Sequence, residues 1–176
     1  MPVTIPFSLG SSIALTLLFL SCAPSLDEQA REHGAALAAP SRTDFPGVAD
    51  ALQLSCATLD CHGQVGRNLR IYGYGGLRLS DADNPLGDPT TDLEYLASYE
   101  SLVSLEPESL SGVVTLQTNP DQLSLIRKAR GLEHHKGGQR AQPGDSLDRC
   151  MVLWLIGEFA PDPCLDVVNA THPATQ

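Results

Sequence analysis

Five cysteines, at positions 22, 56, 61, 150 and 164, constrain this 176-residue chain more than any other feature, because an odd number cannot all pair with one another. At least one must serve another purpose. From Ile5 to Leu20 the chain is apolar apart from Ser, Thr, Pro6 and Gly10, and no charged side chain precedes Asp27. That run is shorter than the roughly 20 residues a membrane-crossing helix needs, so residues 1–21 read as an export signal. Export leads to an oxidising compartment, where remaining thiols pair, bind a metal or carry a cofactor.

Phe19, Leu20 and Ser21 run directly into Cys22. This junction resembles the lipobox of bacterial lipoproteins, which implies that Cys22 is acylated and becomes the mature N-terminus. By the same resemblance, Ala23 in the next position implies the outer membrane, facing the periplasm. The alternative is an ordinary signal peptide with a coincidental Cys. Acyl chains anchor because each buried methylene adds about 0.8 kcal/mol, so the membrane partner belongs to the lipid and not to the folded domain. Residues 22–43, with an Ala-rich run ending at Pro40, read as a lipidated tether. The charge balance excludes other surfaces: 11 Lys and Arg against 21 Asp and Glu give −10, which argues against nucleic acid or an anionic membrane face as partner.

A hydrophobic share of 42% is enough for one core, and the pattern from residue 44 to 168 is that of a mainly helical single domain with irregular Gly-rich loops. Asp44 stands where it can cap a helix with Pro46 in its first turn, and Phe45, Val48, Leu52 and Cys56 fall on one face. Residues 68–79, rich in Gly, suit a short hairpin or an irregular wrap. A helix is expected over Asp92–Leu105, stopped by Pro107. Another starts at Asn119 and Pro120, turns Leu123 and Ile126 inward and ends at Gly131. The clearest follows Gly144: Asp145 or Ser146 caps it, Leu147, Cys150, Met151, Trp154 and Leu155 form its apolar stripe, and Gly157 ends it. Residues 169–176 read as a disordered tail. Cys164, following Pro161 and Pro163, pairs most economically with Cys150 in a disulfide that folds the chain end back onto this helix.

Reactive side chains converge at Cys56, Cys61 and His62. Two thiols followed directly by His match the attachment chemistry of haem c: the sulfurs form thioethers with the vinyl groups and the His becomes an axial iron ligand. Four residues separate the cysteines, so the loop between them must bulge. Two other readings stay open: a local Cys56–Cys61 disulfide, with His62 merely polar, and a zinc site formed with His134 or His135. Arg127, Lys128, Arg130, Lys136 and Arg140 follow in one stretch opposed only by Glu133. They suit either an anionic group such as haem propionates or the C-terminal dipole of a helix.

A helix leading into Cys56, Cys61, His62 and Gly63, then Gly76 to Leu79, Ser124 to Lys128 with Gly131, His135 to Gly138, and Trp154 to Gly157, resembles the cytochrome c-like domains of exported bacterial proteins of planctomycete and myxobacterial type. The resemblance spans about 115 residues. It implies an all-α fold with the haem between the first and last helices, Cys56 and Cys61 as attachment points, and His62 as proximal ligand. It also implies His134 or His135 as distal ligand, with Met151 a lesser candidate. The function implied is electron transfer with a redox partner protein; the alternative is a haem-free, disulfide-stabilised binding or structural module. No G-x-S-x-G, phosphate-loop or H-E-x-x-H pattern occurs, so enzymatic activity is not expected.

Overall fold

The computed structural model describes Met1 and residues 36–171, and divides into two units, Met1–Ala36 and Leu37–Gln176. The expected export signal, the expected lipidation at Cys22, the expected tether up to residue 35 and residues 172–176 lie outside the described residues. The second unit is the folded domain, and its described residues are all-α, without strands. None of their helices is long and apolar enough to cross a membrane.

Helix α1, Phe45–Cys56, buries Phe45, Val48 and Leu52 as its periodicity requires. Pro46 sits in its first turn, but the Asp44 side chain makes no capping bond; the Asp44 N–H donates to Ser41 Oγ at 3.3 Å instead. Helix α2 covers Asp92–Val103, α3 Pro107–Val114, α4 Ser124–Ala129, α5 Ser146–Leu155 and α6 Pro161–Thr171, with a 3-10 turn at Pro120–Gln122. In α5 the Asp145 carboxylate accepts the Asp148 N–H at 2.9 Å, and Leu147, Cys150, Met151, Trp154 and Leu155 are all buried. α5 and α6 pack on α1, with Trp154 5.2 Å from the Phe45 ring. The Cys150–Cys164 disulfide joins α5 to α6, the economical pairing that the sequence reading expects.

Several boundaries differ from the sequence reading. Pro107 does not merely stop α2; it opens α3, since its fixed φ suits a first helical turn. The helix expected from Asn119 is split, because Leu123 is extended (φ −77°, ψ 134°) and α4 starts afresh at Ser124. Its N-terminus is capped from a distance: Glu106 Oε2 accepts the Ser124 N–H at 2.7 Å and the Ser124 hydroxyl at 2.6 Å. α6 continues through residues 169–171, which the sequence reading assigns to the tail, because the helix packs against both α1 and α5. The end of the supposed tether is likewise part of the domain: Tyr99 Oη donates to the Pro40 carbonyl at 2.8 Å and Trp154 Nε1 to that of Ser41 at 2.7 Å.

Residues 68–79 form an irregular wrap with one isolated bridge, Tyr72 to Leu77. Serine hydroxyls of α2 replace the missing ladder: Ser101 Oγ accepts the Arg70 N–H and Ser98 Oγ the Tyr72 N–H, both at 2.8 Å. A Cβ at Gly76 would stand 2.5 Å from the Ala57 carbonyl oxygen, so glycine is what lets the wrap lie against the end of α1.

Candidate functional site

α1 carries Cys56 to its C-terminus, and the chain then folds back tightly. Cys61 N–H donates to the Thr58 carbonyl at 2.8 Å and His62 N–H to that of Cys56 at 3.1 Å. The four residues between the cysteines are thus taken up in a closed turn that returns His62 to the end of the helix. Arg67 ties the turn down from outside, donating from Nε to the Cys61 carbonyl and from Nη2 to that of Asp60, each at 3.1 Å.

His62 Nδ1 lies 3.0 Å from the Leu69 carbonyl oxygen. A carbonyl can only accept, so Nδ1 carries the proton and Nε2 keeps its lone pair, the arrangement that orients a ligating histidine. Burial holds the His62 pKa below its usual value despite the Leu69 bond, and His135, Arg67 and Lys128 act in the same direction as burial. The ring is therefore neutral near pH 7.

Across from it stands His135, its ring centroid 5.8 Å from that of His62 and the two planes 19° apart. Its loop is shaped by glycine: Gly138 has φ +66°, and a Cβ on Gly137 would lie 2.9 Å from His135 Cε1. Of the two candidate distal histidines, His135 lines the cavity beside His62, whereas His134 is exposed and away from it. That cavity, about 470 Å³, lies in the range of small-molecule and cofactor sites. Leu52, Leu69, Leu105, Leu125 and Met151 supply apolar wall, and Cys56 is part of it; Cys61 is not. These leucines come from separate segments, and no local pattern marks them as neighbours.

Cys56 and Cys61 are both free, so the local disulfide held open by the sequence reading is not formed. Burial pushes the Cys56 thiol up to about 11, with Arg140 opposing the rise and Cys61 adding to it. The zinc reading also fails for lack of ligands: among the described residues no three His, Cys, Asp or Glu side chains converge as a metal site requires.

The basic stretch divides in space. Lys128 and Arg140 line the cavity. Arg127 and Lys128 share Glu133, at 3.0 and 3.3 Å. Arg130 is turned away into a half-buried cluster, bonded to Asp148 at 2.7 Å and to Asp121. Glu133 is thus not the sole counter-charge, because the fold brings Asp121 and Asp148 from distant positions to Arg130. The search for similar proteins finds no matching family, curated protein or solved structure for this chain.

Proposed function

We propose that this chain is a haem c-carrying electron-transfer protein of the cell envelope, attached to the outer membrane through lipid on Cys22. The observation that carries the reading is the pair of nearly parallel imidazoles, His62 and His135, facing one another beside a cavity that leucines and Cys56 help to wall. Two histidines are too few for a metal centre built from protein alone. They are the number a porphyrin requires, since the macrocycle brings its own four equatorial nitrogens.

His62 would be the proximal ligand, positioned by Leu69, and His135 the distal one. Cys56, on the cavity wall, would take one thioether bond, and Cys61, free as well but set back from that wall, the other. When bound, haem supplies a one-electron iron couple. Leu52, Leu69, Leu105, Leu125 and Met151 would exclude water from it, and Lys128 and Arg140 would face its carboxylates. The chain's residues would hold, orient and desolvate the group.

The test is to produce the chain with a haem-attachment system in the periplasm and to record its absorption spectrum and intact mass. The expected result is one haem per chain, retained after denaturation, with a low-spin spectrum that turns high-spin in His135→Ala. Colourless protein of unmodified mass with both thiols alkylatable after denaturation would overturn the proposal.

A further inference from the structure

Two arginines that follow His62 carry charge the fold leaves unanswered. Arg67 and Arg70 form no ion pair among the described residues, whereas Arg78, Arg127, Lys128 and Arg130 all do. Arg67 directs Nε and Nη2 to the carbonyls of Cys61 and Asp60 and leaves Nη1 without an acceptor. Arg70 is the more demanding of the two: its Nε is buried and meets no hydrogen-bond partner. A buried donor left unpaired is rare and costly, and here the group is also charged. Its backbone is fixed, because Ser101 Oγ of α2 accepts the Arg70 N–H at 2.8 Å.

Both arginines line one groove of about 530 Å³, with Asn68 and Ser104 as polar neighbours and Val65 and Leu105 as apolar ones, and no Asp or Glu lines it. Arg67 and Asn68 also line the cavity beside His62, but Arg70 and Ser104 belong to the groove alone. We propose that this groove is a binding site for a small tetrahedral oxyanion of the phosphate class. A guanidinium presents parallel N–H donors in a planar fork, and two such forks call for more acceptor oxygens than one carboxylate offers. The Asn68 amide supplies a further donor of neutral charge. With a net charge of −10 the chain repels anions in general, so an anion is retained only where cations stay unneutralised. The inference does not rest on the haem reading.

The experiment titrates the purified full chain, isotopically labelled, with inorganic phosphate at fixed pH and ionic strength while amide chemical shifts are followed. Saturable shifts are expected within residues 65–70 and 104–105, with acetate binding about tenfold more weakly. Arg70→Gln should weaken phosphate binding about tenfold, and Arg70→Lys, which keeps the charge but loses the fork, should weaken it by a smaller factor. Arg149→Gln, which removes an exposed charge elsewhere, should bind like the unmodified chain. Absence of saturable shifts, shifts centred elsewhere, acetate binding as tightly as phosphate, or equal losses in Arg70→Gln and Arg149→Gln would overturn the site. If Arg70 serves only the C-terminal dipole of α2, Arg70→Gln lowers the melting temperature and phosphate raises it in neither protein, which also overturns the site. Co-sedimentation with phosphatidylglycerol vesicles that Arg70→Gln abolishes would uphold the groove and place its oxyanion on a lipid headgroup. Phosphate binding that disappears once haem is attached would assign both arginines to haem carboxylates and overturn a separate site. Colourless protein that binds phosphate through these residues upholds the groove and defeats only the haem reading.

Discussion

Glu94 is the most densely used carboxylate in the domain, and Glu94→Gln gives a sharp test of what holds the wrap to α2. Its side chain is 1% exposed and that of Arg78 3%. Five donors converge on it: Arg78 Nε at 2.8 Å and Nη2 at 3.0 Å, the N–H groups of Thr91 at 2.9 Å and Leu79 at 3.2 Å, and the Thr91 hydroxyl at 3.1 Å. Glutamine keeps the shape but removes the charge and turns an NH2 group toward donors, leaving the buried Arg78 guanidinium with only the more distant Asp83 carboxylate, at 3.9 Å, as an ion partner. Breaking a buried pair in this way costs about 3–5 kcal/mol, which for a domain of this size lowers the melting temperature by roughly 10 °C. Burial acts to raise the Glu94 pKa, but the bonds from Arg78, Thr91 and Leu79 outweigh it and hold the carboxyl below its usual range. A folded value below the unfolded one means that this stabilisation is complete above the unfolded pKa of about 4.3 and is lost as pH falls through the folded value. Urea and thermal unfolding followed by circular dichroism should therefore show a large deficit for Glu94→Gln at pH 7 that shrinks in acid. Replacing both partners, Arg78→Met with Glu94→Leu, should cost less than the two single changes together. A deficit below about 1 kcal/mol at pH 7, or one independent of pH between 3 and 7, would refute the reasoning.

Removing the staple with Cys150→Ala and Cys164→Ala reopens a loop of about 15 residues and should cost about 3 kcal/mol, visible as a lower melting temperature matched by reducing the unmodified protein. Trp154→Phe leaves the Ser41 carbonyl without its donor and should cost about 1–3 kcal/mol, with limited proteolysis cutting near residues 38–43 earlier than in the unmodified chain. With its thiol pKa at about 11, Cys56 in haem-free protein at pH 8 has only about a thousandth of its thiol ionised. Peptide mapping after brief iodoacetamide treatment should find it unmodified unless the protein is first denatured.

Where the information was local, the sequence alone determined the outcome. The stripes Phe45, Val48, Leu52 and Leu147, Cys150, Met151, Trp154, Leu155 specify α1 and α5, because a 3.6-residue period records which face is to be buried. The proximity of Cys61 and His62 to the end of α1 is likewise written in consecutive residues, and the economy of pairing Cys150 with Cys164 follows from chain order. Tertiary structure decided everything that depends on segments meeting. The choice of His135 over its neighbour His134 is made by the turn around Gly137 and Gly138; the removal of Arg130 from the cavity is made by Asp121 and Asp148; the leucine wall is assembled from several separate segments. α6 is recognisable only once α1 and α5 supply the surface it packs on, and residues 40–41 join the domain only once Tyr99 and Trp154 are in place to donate to them. Helix periodicity is a property of neighbours along the chain, whereas a cavity and its charges are properties of neighbours in space.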